Sequence, residues 1–335
     1  MSYKRQEPQM IRILSAEDVR TALPMRQAVE TMKKAFAQLS AGKADVPLRV
    51  GLQVPQHNGV TLLMPGYLSQ DDQMAVKIVS VFNDNPSKGL PLIHALVVVL
   101  DAETGAPAAI MDGAYLTALR TGAASGAATD LLARKDAKTA AIFSAGTQAR
   151  TQLEAILAVR PIQFAWVYDP DEDRAEEYAG EMKDKLGIEV HVANTPSQAV
   201  RAADIICTAT TSSTPVFEDT DLLPGCHINA VGAYTPEMQE IPVETIQRAK
   251  LVIDHRESSL AEAGDLIIPL NQGLITQEDI HAELGEVITG LKPGRQTPDE
   301  ITFFKSVGVA VQDVAAANAV LESARSLNLG SQVSL

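Results

Sequence analysis

The sequence predicts an α/β protein built in two parts, and three observations carry that prediction. Beyond Arg120, apolar strand-like runs alternate with amphipathic helical stretches, which is the rhythm of a parallel sheet with helices on both faces. Before Arg120, strand-like runs follow one another through turns, as in an antiparallel or mixed sheet. The last long stretch, residues 301–327, reads as one helical pattern outside the alternation, so it is expected to return to the first part.

The elements follow in order. Ser15, Ala16, Glu17 and Asp18 form a capping-box pattern, so a short helix begins there. "PMRQAVETMKKAFAQLSAG" is an amphipathic helix with Gly42 at its stop. "VTLLMPGYL", "QMAVKIVSVF" and "LIHALVVVLD" are strands, and "AETG" turns the chain into "APAAIMDG". Then come the helix "GAASGAATDLLAR", the strand "KTAAIF", the helix "TQARTQLEAILAV" and the strand "QFAWVYD". "DEDRAEEYAGEMKDKLG" and "PSQAVRAA" are helices around the strand "IEVHVA". "DIICTAT", "CHINAVGA" and "KLVIDH" continue as strands.

Composition narrows the function. The 335 residues suffice for two domains and a sizeable core. A net charge of −14 argues against nucleic acid and against anionic lipid as partners. No apolar run approaches the roughly 20 residues that span a membrane, and no signal-peptide h-region is present. Cys207 and Cys226 sit in apolar runs as buried free thiols, which suits a reducing cytoplasm. No His/Cys spacing suggests a metal.

The stretch "TAAIFSAGTQAR" carries the first chemistry. A dinucleotide loop needs three small positions, for a tight turn, for close approach of the pyrophosphate, and for helix–strand packing. Here they are Ser144, Gly146 and Ala149, after a strand and at the start of a helix. The next strand ends at Asp169, where a carboxylate accepts the ribose hydroxyls of NAD(H) and repels the extra phosphate of NADP(H). NAD(H) is therefore favoured. NADP(H) stays open, because Arg174 stands close enough in sequence to pair with that phosphate. The plain alternative is that Asp169 only caps the helix after it.

"YLTALRTGAASGAATDLLARKDAKTAAIFSAGTQARTQLEAI", "CHINAVGAYTPEMQEIP" and "FFKSVGVAVQDVAAA" resemble the ornithine cyclodeaminase/mu-crystallin family, and the likeness covers nearly the whole chain. The resemblance implies a Rossmann NAD(P)-binding domain, residues 121–305, inserted in a substrate-binding and dimerisation domain, residues 1–120 and 306–335. It implies a homodimer acting on a small imino or amino acid. Arg49 in "VPLRVGL" and Lys77 in "AVKIVSV" match residues that hold the substrate carboxylate, and Arg120 matches one reaching substrate or cofactor phosphate. Thr147 and Gln148 match the pyrophosphate loop; Thr210, Val231, Gly232 and Ala233 flank the cofactor. Ser306 and Val307 match a loop near nicotinamide and substrate.

Departures from the pattern steer the choice of reaction. Cyclodeaminases and the alanine dehydrogenase branch carry an aspartate where this chain has Tyr234; the cyclodeaminase lysine is Met238, and Leu92 replaces a small hydroxyl residue. Cyclodeamination needs an acceptor for the α-ammonium proton, and a phenol, with an ordinary pKa of roughly 10, is a poor one near pH 7. A preformed cyclic ketimine needs only alignment, a carboxylate clamp and a proton. The expectation is an NAD(P)H-dependent reductase of cyclic imino acids, giving proline or pipecolate, with Arg49, Lys77 and Tyr234 as catalytic candidates. The alternatives are an ornithine cyclodeaminase or alanine dehydrogenase, and a non-catalytic mu-crystallin-like binding protein. His94 and His227 read as core histidines, Asp254 and Asp265 as capping or turn residues, and Tyr234 equally as packing.

Overall fold

The computed structural model describes residues 9–334 and divides into two compact units. Unit 1 comprises residues up to 24, 42–117 and from 310 on; unit 2 comprises 25–41 and 118–309.

Unit 1 is built on a mixed sheet. Its strands are β1 (Met10–Leu14), β2 (Ala44–Asp45), β3 (Val50–Val54), β4 (Gly59–Leu68), β5 (Gln73–Phe82), β6 (Ile93–Asp101) and β7 (Pro107–Asp112), with the chain's last strand, Ser331–Ser334. The order is Ser331–Ser334, β1, β7, β6, β5, β4, β2, with β3 also pairing β4. Among the described residues only β1 and β7 run parallel in this sheet. The hairpin expected at "AETG" joins β6 to β7, closed by Thr104 donating to Asp101 and by Gly105 at φ +73°. The capping box at Ser15 and Asp18 is present and starts the helix Ala16–Ala22. Alternation puts Ala75, Lys77 and Val79 of β5, with Val97 and Val99 of β6, on the buried face. The helix Ala310–Ser326 covers β4 and β5 there. His94 has the opposite parity and is exposed, so it is not the core histidine the apolar run suggested.

Unit 2 is a wholly parallel sheet with a core on each face. Its strands are β8 (Thr139–Phe143), β9 (Phe164–Tyr168), β10 (Glu189–Val192), β11 (Ile205–Thr208), β12 (His227–Ala230), β13 (Lys250–Ile253), β14 (Ile280–Glu283) and β15 (Thr302–Lys305), in the order β10-β9-β8-β11-β12-β15-β13-β14. β15 corrects the helical reading of residues 301–327. It lies between β12 and β13, its four residues are fully buried, and a strand buried on both faces shows no alternation. The helix Met25–Ser40, read from sequence as part of the first domain, belongs to unit 2. Lys33 Nζ lies 2.8 Å from Asp130, Ser40 Oγ donates to Glu283 at 2.8 Å, and a Cβ on Gly285 would lie 2.0 Å from the Phe36 carbonyl. Burial opposes the ionisation of Asp130. Hydrogen bonds from Lys33, Arg160 and Lys135 outweigh it and hold the carboxyl well below the usual range.

Candidate active site

In unit 2, β8 has β9 on one side and β11 on the other. The connections therefore reverse direction between β8 and β11, and a ligand crevice opens at the carboxyl ends of those strands. The loop Ser144–Gly146 leaves β8 there and Gly146 caps the helix Thr147–Val159. Ser144 adopts φ +103°, the backbone region that favours glycine, so the turn is made despite the side chain. Its hydroxyl accepts from Gly146 N at 3.1 Å, while its own amide donates to Tyr168 O. Asp169, at the end of β9, does more than the sequence suggested. Oδ2 accepts from Ala145 N at 2.8 Å and Oδ1 from Asp171 N at 3.0 Å, with Arg174 Nη1 3.8 Å away. The acid and the loop are thus one rigid piece.

The residues fit a dinucleotide. The first amides of the helix Thr147–Val159 have no intrahelical acceptor, the usual seat of a pyrophosphate. Gln148 Oε1 and Thr208 Oγ1 are buried without a hydrogen-bond partner among the described residues, leaving polar atoms for a ligand to engage.

Two buried carboxylates that the sequence left unread or read as turn chemistry shape the far side of the crevice. Glu240 Oε1 accepts from Thr210 N at 2.7 Å, and Oε2 accepts from Gly232 N at 2.8 Å and Ala233 N at 3.1 Å. It therefore ties the ends of β11 and β12 together. Burial pushes the Glu240 carboxyl up. Asp254 Oδ2 accepts from Ser306 Oγ, Val307 N and Gly308 N at 2.8–2.9 Å, and Oδ1 accepts from His255 N and Ser259 Oγ. Asp254 thus accepts from three donors of the Ser306–Gly308 loop, Ser306 N also donates to Ala230 O at 3.1 Å, and Val231 N donates to Thr208 O at 2.9 Å. Arg120 is buried close to the same loop, where a Cβ on Gly308 would lie 2.5 Å from its Nη1. Tyr234 follows β12 and is 40% exposed, outside the buried core of unit 2. His227 is the satisfied core histidine expected. It is bonded to Thr302 Oγ1 and Asn229 Oδ1, and burial takes its pKa down to about 3.

In unit 1, Arg49 stands half-buried just before β3. Lys77 is buried in mid-strand on β5, with Nζ 2.8 Å from Asp313 Oδ2 and 3.0 Å from Oδ1. Asp313 was not singled out in the sequence; its only signal is a lone acid on the apolar helix face "VAVQDVAAA".

Comparison with known proteins adds three findings of the same kind. A Δ1-pyrroline-2-carboxylate reductase of Bacillus cereus is 40% identical over 322 residues, 96% of this chain and 99% of that protein. The structure of Thermococcus litoralis Δ1-pyrroline-2-carboxylate reductase in complex with NADH and L-proline superposes with TM-score 0.93 at 44% identity, covering 96% of this chain and 100% of that one. An archaeal alanine dehydrogenase dimer with bound NAD superposes with TM-score 0.91 at 38% identity, covering 98% and 100%. The profile of the ornithine cyclodeaminase/mu-crystallin family matches residues 9–328. With a match of that extent, on a fold whose strand order and crevice are those of a dinucleotide binder, the chain belongs to the ornithine cyclodeaminase/mu-crystallin family.

Proposed function

We propose that this protein is an NADH-dependent reductase of a cyclic ketimine carboxylate of the Δ1-pyrroline-2-carboxylate type, giving proline. Overall likeness does not choose between the branches, since a reductase and an alanine dehydrogenase both match at about two-fifths identity over full length. Tyr234 carries the choice. It puts a phenol where the cyclodeaminases and the alanine dehydrogenase branch carry an acceptor carboxylate, and its 40% exposure leaves the hydroxyl accessible to a ligand. The NADH-bound and NAD-bound relatives, together with Asp169 in the loop, support NAD(H).

Each candidate then has a stated task. Arg49 offers a two-pronged fork to the substrate carboxylate. Lys77 supplies a second cation, kept from swinging by burial and by Asp313. Tyr234 donates a hydrogen bond to the ring or closes it off from water. The nicotinamide, when bound, supplies the hydride. Arg120 and the Ser306–Val307 loop position what binds beside them, with Asp254 fixing the loop.

The protein is further proposed to be a homodimer. Val50 and Leu52 on β3 are each 62% exposed, and Leu48 and Leu63 beside them are also open, an apolar sheet face that a second copy would cover. A cytoplasmic location is supported by Cys207 and Cys226, which are free thiols, and no helix among the described residues is long and apolar enough to cross a membrane.

The test supplies Δ1-pyrroline-2-carboxylate with NADH, and separately ornithine or alanine with NAD⁺, and follows cofactor, ammonia and proline. The expected result is proline from the ketimine and negligible ammonia from ornithine or alanine. Ammonia release at a rate comparable to ketimine reduction overturns the reading. Tyr234→Phe then separates two roles for the phenol: kcat falls if the hydroxyl donates in the transition state, and KM alone rises if it only closes the site.

A further inference from the structure

We propose that Glu240 is a positioning residue for the cofactor, and that its buried negative charge makes the site bind oxidised nicotinamide in preference to reduced. The inference rests on the nicotinamide reading above. Three backbone amides converge on this carboxylate: those of Thr210, Gly232 and Ala233. All three are donors, so an ionised carboxylate satisfies each of them directly, whereas a protonated acid would have to turn its hydrogen away from the donor on that oxygen. The arrangement is therefore built for the anion. It also explains Gly232. A Cβ there would lie 2.4 Å from Glu240 Oε1 and 2.3 Å from Thr210 O, so the carboxylate fills the space that any side chain would take.

The buried cation beside it, Lys305, is shared with a second carboxylate. Asp265 Oδ1 accepts from the amides of Glu240 and Ile241 at 2.7 and 3.1 Å, and its Oδ2 lies 2.8 Å from Lys305 Nζ. Glu240, Asp265 and Lys305 are all 0% exposed. Two carboxylates face one ammonium, so the cluster carries one net negative charge out of reach of solvent screening. Glu240 sits on the amides of Thr210, Gly232 and Ala233, in the strand ends proposed to flank the cofactor. The oxidised nicotinamide ring is cationic and the reduced ring is neutral. With the ring seated against these strand ends, a fixed anion beside it favours the oxidised form whatever the local dielectric, and only the size of the preference depends on it. The same anion favours the positive charge that grows on the ring as hydride leaves, so the group that shapes the loops also assists ketimine reduction.

The test measures dissociation constants of NAD⁺ and NADH by titration calorimetry for wild type, Glu240→Gln, Glu240→Asp and Asp265→Asn. Glu240→Gln should weaken NAD⁺ relative to NADH by about fivefold, the effect of removing one poorly screened charge. Glu240→Asp keeps the charge and should leave the ratio near that of wild type, although both affinities drop as the clamp shortens. Asp265→Asn still accepts from the two amides and should move the ratio in the same direction as Glu240→Gln. Equal weakening of both forms in Glu240→Gln would reduce the residue to a structural staple and overturn the proposal. Should that variant fail to fold, an unchanged ratio in Asp265→Asn overturns it instead. Wild-type protein that binds neither form overturns the nicotinamide reading and this inference together. Wild-type protein that binds both, beside variants with an unmoved ratio, overturns this inference alone.

Discussion

Acid should destabilise unit 2 through one buried histidine, and His227→Gln should remove that part of the effect. His227 is fully buried between Thr302 and Asn229, and burial takes its pKa from 6.5 to about 3. The unfolded chain therefore binds a proton between pH 6.5 and 3 that the folded chain refuses. Stability from this group is complete above pH 6.5 and is lost as pH falls. At pH 5 the loss is about 2 kcal/mol and at pH 6 about 0.8 kcal/mol, from 1.36 kcal/mol per pH unit. Carboxylates elsewhere in the chain also titrate as the pH falls. The comparison must therefore be between wild type and variant at each pH. Urea unfolding at pH 7, 6 and 5 provides it. The gap between the two proteins should shrink by about 2 kcal/mol from pH 7 to pH 5, with the variant's own constant cost cancelling. Parallel pH dependences would refute the assignment and mean that His227 is protonated in the fold.

Other expectations follow from the same geometry. Wild type should prefer NADH to NADPH in kcat/KM. Asp169→Ser should narrow that preference chiefly by weakening NADH, because the carboxylate also anchors Ala145 N, and a gain in NADPH efficiency with NADH unharmed would contradict that double role. Arg49→Ala should cost roughly tenfold to a hundredfold in kcat/KM for the ketimine, the worth of a charge-assisted pair of about 1.5–3 kcal/mol, with cofactor affinity unchanged. Light scattering should give about twice the 35.8 kDa chain mass, and Leu52→Lys on exposed β3 should shift the mass toward the monomer.

The strand–loop–helix–acid unit from Thr139 to Asp169 was legible because its signal is local: apolar run, small residues, amphipathic run, terminal carboxylate. The hairpin at Asp101 and the capping box at Ser15 were legible for the same reason. β15 was not, since a strand buried on both faces and parted from the next helix by four residues shows no period of its own. Nor was the helix Met25–Ser40, whose amphipathic stripe says that it is buried but not against which unit. The Glu240–Asp265–Lys305 cluster joins residues 25 and 40 positions apart, and no local pattern carries such a pairing. Its trace was one lysine in the apolar run "ITFFKSVG", a position where a charge is stable only with a partner. Asp254 and Asp265 were noticed and undervalued, because a carboxylate that caps one turn looks the same in sequence as one that binds five donors.

The interrupted make-up of unit 1 sets a timetable for synthesis. Everything that unit 2 needs, from Met25 to Val309, is synthesised before the helix Ala310–Ser326. At roughly 5–20 residues per second, that helix takes about one to a few seconds more to synthesise. Over the same interval the strands β4 and β5 lack the helix that will cover them, and Lys77 lacks Asp313. A chain stopped short of residue 310 would thus carry every strand of the parallel sheet beside an apolar sheet without the helix that covers it, and that uncovered face is open to aggregation.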